Sequence, residues 1–168
     1  MRGVRRPLRE ATTVQTRGEH VTAHEDSAGA SASFEIGPRT EEDVRQLFGL
    51  AQSVFGSEPG WDDREVLDSL TQDVVFVAKE HGQPAGYVAL RPTERTTIVE
   101  QLFVAPGHER QGVGRRLLAF AEGYAIAEHM RALRVVVEQG NDPARSFYRR
   151  SGFVPVEAEV FELILPQQ

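Results

Sequence analysis

The tract with the clearest chemical potential is Glu109-Arg110-Gln111-Gly112-Val113-Gly114-Arg115, which follows an apolar run, Glu100-Gln101-Leu102-Phe103-Val104. Two glycines one residue apart let backbone approach a ligand with no Cβ in the way. A helix starting there turns its first unpaired amides on that ligand, and an anion suits them. Arg110, Arg115 and Arg116 add positive charge at the same place. Two familiar phosphate loops are not met. A dinucleotide fingerprint needs a third glycine where Leu117 stands, and a nucleotide loop read from Gly107 and Gly112 needs a lysine where Val113 stands. By itself, the pair of glycines is equally the mark of a plain tight turn before a helix.

The elements that must hold this loop follow from periodicity. Val113, Leu117, Phe120, Ala121, Tyr124 and Ala125 fall on one helical face. Upstream, residues 74–79, 86–91 and 96–104 read as a meander of three strands, the first two joined across Glu80-His81-Gly82-Gln83-Pro84. Downstream, a strand over 133–138 is reached through the helix and is therefore expected to run parallel to 96–104. Asp142, with Pro143 behind it, is expected to cap the next helix, and strands over 153–156 and 160–165 close the chain. Before the meander come a short strand at 34–37, a helix from an N-cap at Thr40 to about Val54, a loop at 56–61, and a helix from Asp62 or Asp63 to Leu70. The class is α/β with a mixed sheet.

Composition bounds the possibilities. A chain of 168 residues that is 40% hydrophobic can bury one core. The expected organisation is an unordered tail over 1–33, poor in large apolar residues, and one domain over 34–168. There is no cysteine, which excludes disulfides, thiolate metal sites and cysteine nucleophiles. No apolar run approaches the roughly 18 residues of a membrane span, and no apolar stretch follows the arginine-rich start as a secretory signal requires. The expectation is a soluble, cytoplasmic protein with no membrane or nucleic-acid partner and no metal. Residues 1–33 hold five Arg and four Asp or Glu, leaving 14 basic against 21 acidic residues in the domain. An acidic body favours cationic partners such as amines over nucleic acid.

The order of apolar strand, arginine-flanked Gly-x-Gly, amphipathic helix and second strand, followed by Asn141-Asp142-Pro143-Ala144-Arg145-Ser146-Phe147-Tyr148-Arg149-Arg150-Ser151-Gly152-Phe153, resembles the GNAT superfamily of acyl-CoA-dependent N-acyltransferases. The match is strong over 98–153 and loose over 34–95. Asn141, Ala144, Tyr148, Gly152 and Phe153 all fit the family's downstream pattern. Glu109 departs from it, standing where the family usually has Arg or Gln.

The resemblance implies a mixed, mostly antiparallel central sheet with a parallel pair in the middle, flanked by helices, and acetyl-CoA as co-substrate. Its diphosphate would rest on amides from Arg110 through Gln111, Gly112, Val113 and Gly114 to Arg115. Its pantetheine arm would pair with backbone around Leu102, Phe103 and Val104, and Asn141 would hydrogen-bond that arm. Acyl transfer to an amine expels a thiolate, and a phenol near the sulfur can protonate it. Tyr148 is the candidate general acid, because a free phenol titrating near 10 stays protonated at neutral pH. Glu100 is the candidate base, expected on the strand face of Leu102 and Val104, with Glu138 and His108 as weaker choices. The implied acceptor is a primary amine, on a small molecule, peptide N-terminus or antibiotic, held near 56–61 and 156–160, where Glu58, Trp61, Glu157 and Glu159 could meet a cation. A homodimer is left open. So is a sensor or interaction module that keeps the fold without turnover.

Overall fold

The computed structural model describes residues 33–57 and 62–167, so the expectations for the tail and for Glu58 and Trp61 lie outside the described residues. The order is β1 (Glu35–Pro38), α1 (Glu41–Phe55), α2 (Asp63–Gln72), β2 (Val74–Glu80), β3 (Gln83–Pro92), β4 (Thr96–Val104), α3 (Val113–Ala127), β5 (Ala132–Val136), α4 (Asp142–Arg150), β6 (Val154–Pro155) and β7 (Val160–Ile164). The strands form one sheet in the order β1-β2-β3-β4-β5-β7-β6. Among the described pairings β4 with β5 is the parallel one. That is the mixed sheet expected of the sequence.

Alternation along the central strands gives the sheet two buried faces. Val75, Val77, Tyr87, Ala89 and Phe103 point to one side, where Leu47 and Ala51 of α1 and Val66 and Leu70 of α2 cover them. Val88, Leu90, Val99 and Leu102 point to the other, under Leu117, Leu118 and Ala121 of α3 and Ala144 and Tyr148 of α4. Phe120 sits at the rim of that second core, 39% exposed, with its ring centroid 4.9 Å from that of Phe76. Strands buried on both faces read as continuous apolar runs, which is why β3 was visible from composition.

Helix starts obey local chemistry. At α1 the Asp43 amide donates to Thr40 Oγ1 at 3.3 Å and the Thr40 amide donates to Asp43 Oδ2 at 2.7 Å, a reciprocal cap. Lys79 Nζ lies 2.7 Å from Asp43 Oδ1 and so ties α1 to β2. Burial pushes the Asp43 carboxyl up, but the bonds from Lys79 and Thr40 outweigh it and hold the group below its ordinary value. At α4 the structure corrects the expected cap. Asn141 holds that position, its side-chain oxygen accepting from the Ala144 amide at 3.2 Å, and Asp142 is the first helical residue. No helix among the described residues is long and apolar enough to cross a membrane.

Two glycines make opposite predictions. A Cβ on Gly86 would lie 2.5 Å from the Phe103 carbonyl oxygen, across the β3–β4 ladder, where backbone must yield. Gly86→Ala is expected to lower the urea midpoint by an amount equivalent to about 1–3 kcal/mol. Gly123, exposed in mid-helix with nothing within 4 Å of its would-be Cβ, has the reverse sign: Gly123→Ala is expected to stabilise by about 0.4–1 kcal/mol in the same titration.

Candidate active site

The site begins where the sheet opens. β4 and β5 pair through Thr96 with Ala132, Thr97 with Leu133 and Ile98 with Arg134, and the ladder stops there. β5 stays in the sheet through β7, to which Val135 and Val136 pair. On its other edge, β4 keeps its pairing to β3 as far as Val104 with Gly86. The two parallel strands therefore part beyond Ile98, leaving a gap beside the stretch that contains Leu102, Phe103 and Val104. Backbone at such an edge can receive an extended, amide-bearing chain.

A residue in that stretch departs from the regular pleat. Ala89 pairs with Gln101 and Leu90 with Val99, so Glu100 is an extra residue, a bulge in β4. Sequence alternation had put Glu100 on the face of Leu102 and Val104. The bulge reverses this, and Glu100 lies on the α1 and α2 side, its Oε1 2.9 Å from Arg91 Nη1. Burial pushes its pKa up; Arg91 pulls it down, while Asp73 and Glu65 push it further up, and the net shift is upward.

The glycine loop meets the end of β4. Arg110 and Gly112 both have left-handed backbone, with φ of 58° and 82°, and α3 starts at Val113 with no side chain capping it. The amides of its first turn are thus uncapped, and no acidic residue stands in that turn. The Gln111 side chain donates back to the Gly107 carbonyl at 2.7 Å and stiffens the approach. Arg110 and Arg115 are exposed and have no protein partner among the described residues. Arg116 is diverted: it donates to the Phe34 carbonyl at 2.9 Å and lies over that ring. Glu109 also proves to be local. Its carboxylate accepts from the Gly107 amide at 2.7 Å, holding its own turn.

α4 closes the other wall. A Cβ at Gly114 would touch Val104 at 3.4 Å and the Phe147 ring at 3.7 Å, so the start of α3, the end of β4 and α4 converge on that glycine. Tyr148 beside it is 1% exposed, packed edge-on against Phe147 and Phe153, in the core that also holds Leu102, Val135 and Val137. Its hydroxyl is buried with no hydrogen-bond partner among the described residues. An orphaned buried hydroxyl is costly and uncommon; among the described residues Thr97 Oγ1 and His108 Nδ1 are also buried without a hydrogen-bond partner. Burial pushes the phenol well above its ordinary pKa, so it remains a proton donor throughout the neutral range.

The remaining candidates separate from this cluster. His108 Nε2 lies 3.1 Å from Glu80 Oε2, beside the Phe34 ring, and belongs to the β1–β2 side. Glu138 is exposed in the turn after β5. Glu159 accepts from the Gln139 amide at 3.3 Å and so binds the β6–β7 connection to the end of β5. Asn141 caps α4, after the end of β5, with its side-chain oxygen accepting from the Ala144 amide. Among the described residues no cluster of three His, Cys, Asp or Glu could hold a metal ion. Arg91 and Asp73 were missed in the sequence. Their only signal was charge at the ends of a strand and a helix.

Comparison with known proteins agrees with this fold. Over 88 residues the chain is 34% identical to the "Uncharacterized N-acetyltransferase YhfO" of Bacillus subtilis, covering 49% of this chain and 59% of that protein. Over 101 residues it is 36% identical to the streptothricin acetyltransferase of Streptomyces lavendulae, covering 58% of this chain and 52% of that one. The matches thus span little more than half the length of these relatives. Its fold is that of the PaiA N-acetyltransferase of Thermoplasma acidophilum, solved in complex with coenzyme A, with a TM-score of 0.65 at 18% identity over 79% of this chain and 99% of that one. Residues 41–153 match the model of the acetyltransferase (GNAT) family, and the chain belongs to that family.

Proposed function

We propose that this chain is an N-acetyltransferase that moves an acetyl group from acetyl-CoA to a primary amine by direct attack. The observation that carries the reading is the parting of β4 from β5 after three residue pairs, together with a buried Tyr148 hydroxyl on α4, in the core shared with Leu102 and Val135, that has no hydrogen-bond partner among the described residues. The residues present suit the co-substrate. The uncapped first turn of α3, flanked by Arg110 and Arg115, suits a diphosphate, and the edge of β4 past Ile98 suits the amides of a pantetheine arm. Asn141, the N-cap of α4, is assigned to the same arm. The bound thioester supplies an activated acetyl carbon; everything else is asked of the protein.

In this reading Glu100 draws a proton from the acceptor ammonium through water, freeing the lone pair that attacks the acetyl carbon. Tyr148 gives its proton to the sulfur as the carbon–sulfur bond breaks, and the second proton of the attacking nitrogen, lost as the amide forms, restores the phenol through water. Acid and base approach from opposite faces of the sheet, Tyr148 from the α3 and α4 side and Glu100 from the α1 and α2 side. Deprotonating an α-amine of pKa near 8 costs about 1 kcal/mol at pH 7, against roughly 4–5 for a lysine amine. Acceptors with amines of low pKa therefore need least from Glu100. The relative named streptothricin acetyltransferase makes that antibiotic the first acceptor to try, alongside spermidine and a peptide with a free N-terminus.

Thiol release from acetyl-CoA with these three acceptors tests the assignment, and release above the rate without acceptor is expected for at least one. Coenzyme A binding with no release for any amine would instead mean a non-catalytic acyl-CoA-binding module. Tyr148→Phe is expected to lower kcat by about 10²–10⁴-fold with coenzyme A affinity by calorimetry nearly unchanged. Gly112→Val should do the opposite. No atom lies within 4 Å of its would-be Cβ, but φ is +82°, and a β-branched residue there is expected to weaken coenzyme A binding by about tenfold or more through backbone strain.

A further inference from the structure

Glu100 is not alone in its bulge. Arg91 on β3 reaches it with Nη1 at 2.9 Å, and with its other two nitrogens holds Asp73, Nε to Oδ1 at 3.1 Å and Nη2 to Oδ2 at 3.3 Å. Asp73, whose side chain is 4% exposed, is fixed in turn by Ser69 Oγ, which donates to Oδ2 at 2.6 Å. Ser69 is buried in α2. A guanidinium is planar and carries donors on a rigid fork, so holding two nitrogens on Asp73 sets the direction of the third. A lysine could not do this. The charged groups facing Glu100 are Arg91, Asp73 and Glu65, and among the described residues its bonding partner is Arg91.

We infer that Arg91 is a positioning residue for the acceptor half-reaction, its fork anchored by Asp73 and Ser69 so that it aims the Glu100 carboxylate. The inference rests on the reading of Glu100 as the base. The bulge explains why positioning is needed. A residue outside the ladder has no cross-strand partner to fix it, and the bond from Arg91 supplies that constraint. Charge gives the second half. Burial and the neighbouring carboxylates oppose ionisation of Glu100, whereas Arg91 favours it. Without the cation, Glu100 would hold its proton to higher pH and accept none from the amine until then.

The test compares pH profiles of kcat/KM for the fastest of streptothricin, spermidine and the peptide, using wild-type enzyme, Arg91→Gln, Arg91→Lys and Glu100→Gln. Arg91→Gln is expected to move the acid limb upward by about one pH unit and to lower kcat about tenfold, with coenzyme A affinity within twofold of wild type. Arg91→Lys should restore most of the limb, because the charge returns, but not kcat, because the fork does not. Glu100→Gln should abolish the limb. A wild-type limb and rate in both Arg91 variants, with Glu100→Gln impaired, overturns the role of Arg91 alone. A wild-type profile in Glu100→Gln removes the base assignment and this inference with it. If Arg91→Gln fails to fold, as judged by circular dichroism, Arg91→Lys decides: reduced kcat at unchanged coenzyme A affinity supports the fork, and wild-type kcat overturns it.

Discussion

The parting of β4 from β5 is the constraint on which the rest depends. Two parallel strands that shared a ladder along their whole length would saturate each other's backbone groups and leave nothing for a ligand. Here the pairing covers Thr96 to Ile98 only, after which each strand is secured from its far side, β4 by β3 and β5 by β7. Each strand keeps its place in the sheet while the space between them stays open. The β4 bulge at Glu100 lies just past the last pair, where extra residues strengthen local twist and turn a strand away from its neighbour.

An open seam in a buried sheet leaves polar groups with unusual surroundings. Among the described residues the Tyr148 hydroxyl has no hydrogen-bond partner, and the first turn of α3 has no side-chain cap. A buried polar group without a partner costs about 1–3 kcal/mol, which bears on the phenol, whereas the turn that opens α3 is largely exposed. The core around the phenol is firm. Gly114 brings α3 against Val104 and Phe147, and Tyr148 is held edge-on between two phenylalanine rings. A Cβ at Gly114 would meet both Val104 and Phe147 at ordinary contact distance, and the Gly114 amide lies in the uncapped turn.

Much of the fold was legible in the sequence because the relevant signals are local. β4 spans Thr96 to Val104 as its residues suggested, and the Thr40 and Asp43 pair capped α1 through neighbouring atoms. The glycine loop was legible for the same reason: left-handed backbone at Gly112 is a property of one residue. What escaped was anything set by pairing between distant segments. A bulge is invisible from one strand, because alternation in β4 alone places Glu100 with Leu102, and only the register against β3 moves it to the other face. Asp142 and Asn141 are both good caps, and the choice between them depends on where the backbone leaves β5. Glu109 departs from the family pattern, and its role as an acceptor for the Gly107 amide in its own turn is a contact that no motif records.

The bulge also sets the proposed base apart from the proposed acid. Were Glu100 on the regular face, it would lie on the same side of β4 as Tyr148, and two proton-bearing groups would compete for one apolar core. A carboxylate buried there would have to stay neutral or recruit a cation into the middle of the core, at a cost of several kcal/mol. Turning the residue through the sheet gives it Arg91 and the partly exposed edge of α2, while the phenol keeps the dry side. In the proposed mechanism the sheet gives each group its own surroundings: burial pushes the Tyr148 phenol up, and at Glu100 burial and the neighbouring carboxylates push up while Arg91 pulls down. One inserted residue in one strand sets which face Glu100 takes.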